Sequence, residues 1–254
     1  MNYCVNVRMG NEIIKSADQI FFGHDDTGAI IDYLEKYPNK TIIYEAGYNE
    51  TLDYTNLTMY NEKQNGNFYI ALPYWFEDFD KLQSYNLKYY INHGVSTMVE
   101  VKNAIDFGVS YLLIRAPLTH KLDLLKKFNI PLRMSPNSFH VHPLSELGLI
   151  SGWVRPEDVE LYEQYIDTFE IYGHRDFVKA SLRIYQLDKK WEGNLKFLVP
   201  GLKADVDHRT IPAEVVQSRL NCGQKCLEGW ACRQCYQLPR LSAILKEVAA
   251  NKKV

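Results

Sequence analysis

The chain has almost no cysteine outside one short run, no long apolar stretch and no imbalance of charge. Only five of its 254 residues are Cys; Cys222, Cys226, Cys232 and Cys235 fall within fourteen residues, and the fifth is Cys4. No stretch approaches the ~18 consecutive apolar residues that a bilayer-spanning helix needs, so no membrane association is expected. The N-terminal run MNYCVNVRMGNEII lacks the basic n-region and the apolar h-region of a signal peptide. These absences point to a reducing cytoplasm, where clustered thiols favour metal over disulfides. A net charge of −2 excludes a global cationic field for nucleic acid. Lys225, Arg233, Arg240 and Lys246 flank the cysteines, as a local basic patch or simply as a solvated charged face. No G-x-S-x-G, Walker loop, H-E-x-x-H or kinase signature occurs. The C-x3-C-x2-C spacing of radical-SAM enzymes is absent too, because five residues separate Cys226 from Cys232.

What is present is a rhythm. Short apolar runs read as strands at Gln19–Phe22, Thr41–Tyr44, Phe68–Leu72, Lys88–Ile91, Tyr111–Ile114, Pro131–Met134 and Phe169–Tyr172, with an initial strand at Tyr3–Val7. Helices are expected at Thr27–Lys36, Glu77–Tyr85, Thr97–Phe107, His120–Phe128, Pro156–Tyr165 and Asp176–Lys190. Thr97 with Glu100 forms a capping box, and Pro156 suits a first helical turn. Repeated βα units with nearly continuous apolar strands mean a parallel sheet covered by helices. The expected fold is therefore α/β, a TIM-like (β/α) barrel over residues 1–200. An open doubly wound sheet is the alternative, but no Gly-rich phosphate loop follows the first strand. Residues 201–254 read as a small cysteine-rich metal-binding appendage with a last helix, Leu238–Ala250, packed on the barrel.

Barrel enzymes place their chemistry at the carboxyl ends of the strands. The residues there are His24 and Asp25, Glu45, Tyr74 and Trp75, Asn92 and His93, Arg115, Asn137, then His174 and Arg175. The pocket is expected from His24, Glu45, His93, Arg115 and His174, with Glu45 and His93 facing each other for proton transfer. Strand ends are also where chains turn, and turns prefer polar residues in any case. His140 and His142 form an H-x-H pair that ligates a metal only if a third ligand is near. Glu170 lies inside a strand, and an inward carboxylate needs a partner, which Arg115 or Arg133 can supply.

The C-x3-C-x5-C-x2-C run brings four soft thiolates within reach of one centre, and thiolates select zinc, iron–sulfur clusters or copper(I). A pair of disulfides is the bland alternative. Cys222, Cys226, Cys232 and Cys235 are expected to hold an iron–sulfur cluster, of the 4Fe-4S type, or else a structural zinc. Trp230 sits in the longest spacer, where it either shields the metal or fills a gap in packing. Cys4, beside Val5 on the first strand, is expected to pack as a small hydrophobe and not to ligate.

The segment RMSPNSFHVHPLSELGLISGWVRPEDVELYEQYIDTFEIYGHRDF resembles the collagenase-like peptidase family. The matching positions are Arg155, Pro156, Glu157 and Asp158 at an RPED-like helix start, then Ile166, Asp167, Phe169, Glu170, Gly173 and His174 in an "ID.FKI.GR"-like strand. The likeness covers about Ile130 to Ile184, and Glu170 and His174 stand where that family has Lys and Arg. The resemblance implies a barrel holding a cysteine-ligated iron–sulfur cluster, in a family that acts in hydroxylation of tRNA bases or quinone precursors. An enzyme or enzyme subunit is thus expected, acting on a small molecule or RNA, with a protein partner as a further expectation. The alternative is a non-catalytic barrel whose cysteines hold structural zinc, acting in binding or assembly.

Overall fold

A computed structural model of the protein describes residues 1–9, 11–23, 29–47, 51–73, 76–136, 154–173, 175–187, 193 and 198. Eight parallel strands form one sheet: β1 (Asn2–Asn6), β2 (Gln19–Phe22), β3 (Thr41–Glu45), β4 (Phe68–Leu72), β5 (Lys88–Ile91), β6 (Leu112–Ile114), β7 (Leu132–Met134) and β8 (Thr168–Glu170). Their order is β5-β4-β3-β2-β1-β8-β7-β6, so sequence neighbours are spatial neighbours and β1 pairs with β8. The ring closes between β5 and β6: Val95 bridges Ile114 in parallel, Val95 N donates to Leu113 O at 2.7 Å, and Ser110 N donates to Tyr89 O at 2.7 Å. A parallel eight-stranded sheet in this cyclic order is a TIM-like barrel.

The chain divides into two compact units. The first, Met1–Ile114 with Ile130–Met134 and Ile166–Glu170, contains all eight strands. It also holds α1 (Asn11–Ser16), α2 (Ile30–Lys36), α3 (Tyr54–Lys63), α4 (Phe79–Ser84) and α5 (Met98–Asp106). The second unit holds α6 (Leu122–Lys126), α7 (Val159–Glu163) and α8 (Arg175–Leu187). The boundary expected near residue 200, the 201–254 appendage and its helix lie outside the described residues. No helix among the described residues is long and apolar enough to cross a membrane.

Local sequence accounts for the element ends. Thr97 Oγ1 accepts from Glu100 N at 3.2 Å while Glu100 Oε2 accepts from Thr97 N at 3.1 Å, the expected capping box of α5. Asp53 caps α3, its Oδ1 accepting from Asn56 N at 3.1 Å. Helices α3, α4, α5 and α6 each stop where the chain enters the left-handed region, at Asn65 (φ 51°), Asn86 (φ 54°), Gly108 (φ 77°) and Asn129 (φ 53°). Asparagine and glycine are the residues that reach this conformation cheaply and release a helix into the next strand. In the second unit, Arg155 and Asp158 pair through two hydrogen bonds across the 3-10 turn Pro156–Asp158, with Pro156 at its first position. The RPED-like stretch is thus, locally, a turn-forming clamp.

Candidate functional site inside the barrel

Successive residues of a strand face opposite sides, so one residue in two points into the barrel. Six strands contribute Cys4, Phe21, Ile43, Ala71, Tyr90 and Leu113 to a single buried cluster, one residue from each of β1 to β6. The remaining two strands bring charge. Arg133 from β7 is wholly buried and Glu170 from β8 nearly so. Arg133 Nε donates to Glu170 Oε1 at 2.6 Å. Of the two arginines that the sequence offers to Glu170, Arg133 takes this bond.

The guanidinium of Arg133 lies against two rings, with Cζ 5.1 Å from the centroid of Tyr90 and 5.1 Å from that of Tyr111. A cation desolvated against aromatic faces gains on the order of 2 kcal/mol from each good contact. Tyr90 Oη reaches Glu170 Oε1 at 3.5 Å, the outer limit of a hydrogen bond. Tyr111 packs on Tyr69, with ring centroids 4.6 Å apart. Towards the amino end, Gln19 Nε2 donates to Thr168 Oγ1 at 3.1 Å, and Asp167 Oδ2 accepts from Leu132 N at 2.9 Å.

Burial decides the protonation states here. It pushes the Cys4 thiol up to about 12, against the opposing pull of the Arg133 guanidinium. Cys4 is therefore a neutral thiol at ordinary pH. Burial and then the Glu170 carboxylate raise Tyr90 well above its usual value, so its hydroxyl keeps its proton. Tyr111 rises for the same first reason, with its hydrogen bond to Tyr69 adding to it. Burial works against the Arg133 charge, but Glu170, helped by Tyr90, Cys4 and Tyr111, outweighs it and holds the group firmly cationic.

At the carboxyl end, Asn92 Nδ2 donates to Glu45 Oε1 at 2.5 Å. A charge-assisted bond this short fixes the carboxylate in place. The expected pairing of Glu45 with His93 did not include this interaction; His93 is the next residue along and stands exposed in the turn after β5. The Glu45 charge adds a small part to the upward shift of Tyr90. Arg115 belongs to the second unit, half-buried, where its carbonyl accepts from Leu118 N at 2.9 Å. His24, His174, Asp25, Tyr74, Trp75, Asn137, His140, His142, Trp230 and the four clustered cysteines lie outside the described residues. Among the described residues no group of three or more His, Cys, Asp or Glu is placed to hold a metal ion.

No protein-family model matches the chain, and no curated protein does. Solved structures do. One is 3-keto-L-gulonate-6-phosphate decarboxylase from Vibrio cholerae, at 15% identity over 91% of this chain and 99% of that one, with a TM-score of 0.47. Another is a 4-hydroxy-2-oxoglutarate aldolase, at 12% identity over 72% of this chain and 91% of its own, TM-score 0.42. A designed cube-shaped protein cage gives 11% identity over 99% of this chain and 83% of its own, TM-score 0.48. The strand order and the closing bridge establish the barrel.

Proposed function

We propose that the protein is an iron–sulfur enzyme, or the iron–sulfur subunit of one, built on the barrel. The observation that carries the reading is the donor set: four thiols at C-x3-C-x5-C-x2-C spacing, in a chain whose only other cysteine, Cys4, is committed to the barrel interior. Four thiolates fit a 4Fe-4S cluster, held by Cys222, Cys226, Cys232 and Cys235. With all four ligands supplied by protein, such a cluster supplies electrons and leaves no iron open to substrate. The resemblance to the collagenase-like peptidase family supports hydroxylation of an RNA base or a quinone precursor as the reaction class. In this reading Glu45, steadied by Asn92, is the proton acceptor at the carboxyl end of β3, with His93 following β5 in the same unit.

A closed Cys4 set is also what structural zinc uses, and it suits a short appendage with little core of its own. Anaerobic purification followed by metal and sulfide analysis separates the two. Stoichiometric iron and sulfide with a broad band near ~400 nm support the cluster. Colourless protein with one zinc per chain rejects it in favour of the binding or assembly role. In either case Cys226→Ser should lower the metal content and Cys4→Ser should leave it unchanged.

A further inference from the structure

Arg133 has more donors than the network uses. Its Nε is bound to Glu170 and its flat faces are covered by Tyr90 and Tyr111, but Nη1 and Nη2 have no hydrogen-bond partner although both are buried. An arginine carries four N–H protons on those two atoms. A polar group left unmet in an interior is costly, because it gives up its bonds to water and gains nothing in return. The Cys4 thiol is close enough for a weak side-chain contact with Arg133, but sulfur is a poor acceptor and leaves most of the fork's protons unmet. Stability alone gives no reason for the arrangement. Barrel interiors are ordinarily filled by branched aliphatic side chains, and replacing a buried ion pair by apolar residues is often neutral or stabilising.

We propose that the barrel interior is a binding site in which the Nη1–Nη2 fork of Arg133 receives the oxygen of an uncharged small molecule, of the carbonyl or amide class. Charge selects the class. Glu170 already neutralises Arg133. A ligand anion would bring an unpaired charge to an ion pair that is already neutral, and a buried unpaired charge is strongly disfavoured. A neutral acceptor meets the fork without that opposition. To this layer β4 contributes only the methyl of Ala71, where its neighbours β3 and β5 bring Ile43 and Tyr90. The site uses no metal, so it stands or falls independently of the cysteine cluster.

The test is made on the full chain with 15N-labelled arginine, following the Arg133 Nε–Hε resonance, assigned by its loss in Arg133→Lys. Acetamide is the neutral probe and acetate the anionic one, each raised to roughly 100 mM because ligands of four heavy atoms bind weakly. Acetamide should shift the resonance saturably, with acetate at least about tenfold weaker. The acetamide effect, read by thermal stabilisation, should vanish in Arg133→Met/Glu170→Leu, whose far-UV spectrum checks that it folds. No saturable shift in the wild-type protein overturns the site. Stabilisation that persists in the double variant overturns the role of Arg133. Acetate binding as tightly as acetamide overturns the assigned ligand class.

Discussion

Replacing Glu170 by Leu removes the acceptor of Arg133 Nε and leaves a wholly buried guanidinium without its ion-pair partner. The two stacked tyrosines remain, but aromatic faces do not replace a carboxylate. Breaking a buried pair from one side typically costs about 3–5 kcal/mol, a large share of the ~5–15 kcal/mol by which domains are stable. At about 2–4 °C per kcal/mol for a chain of this size, the melting temperature should fall by roughly 6–20 °C. Removing both partners tells a different story. Arg133→Met/Glu170→Leu fills the same layer with apolar chains, leaves no charge stranded, and should return to within about 1 kcal/mol of the parent or exceed it. The double-mutant cycle should therefore give a coupling of at least about 2 kcal/mol. Thermal and urea unfolding followed by far-UV circular dichroism measure it. The reasoning is refuted if Glu170→Leu costs less than about 1 kcal/mol, or if the double variant is no more stable than that single one.

Three further outcomes follow from local geometry. Because the folded chain keeps the Cys4 proton up to about pH 12 while an unfolded thiol gives it up near 9, stability should fall as pH rises through that window. The loss is about 1 kcal/mol between pH 9 and 10, before the buried tyrosines add theirs, and Cys4→Ala should flatten it; a level wild-type melting temperature over that range rejects the assignment. Thr97→Ala breaks the capping box of α5 and should cost about 1 kcal/mol in the same unfolding assay, with Thr97→Ser nearly neutral. Gly173 sits at φ 140°, and a Cβ there would come within 2.6 Å of Phe177 Cδ1, so Gly173→Ala should destabilise by more than about 1 kcal/mol, seen as a lower urea midpoint.

Much of the barrel was legible because its strands are short, continuous apolar runs. QIFF, FYIAL and KYYI have the expected bounds to the residue. Helix α3 was not expected: YTNLTMYNEK is rich in Tyr, Thr and Asn and has little apolar periodicity, and it forms with Asp53 as its cap. The short α1 was likewise unannounced. A signal for these boundaries does exist in the spacing of Asn65, Asn86, Gly108 and Asn129, which recur every 21 or 22 residues. Strand β8 ends at Glu170, earlier than the apolar run suggests. At the rim, parity was the missed clue. Asn92 follows Tyr90 at a spacing of two, which puts it in phase with the inward face, and it is bonded to Glu45. Parity also places Arg133 inside with Leu113, the residue beside it on β6. No sequence rule announces that two of its donors stay unmet, because that depends on what the other seven strands bring to the same layer.

The closure between β5 and β6 makes the barrel a zipped ribbon. Neighbouring strands elsewhere share runs of register, as β2 and β3 do over four residue pairs, but β5 and β6 are joined by the Val95–Ile114 bridge and a bond from Ser110 to Tyr89. Opening free energies are lowest where few backbone bonds are shared, so the amides of Val95 and Ser110 should exchange with solvent before those of β2 and β3. What the parting of that seam uncovers is two bare edges, KYYI and LLI, with Lys88 their single charge. Unpaired apolar edges recruit other chains. The place where this fold opens first is thus also where its aggregation under mild heat should start.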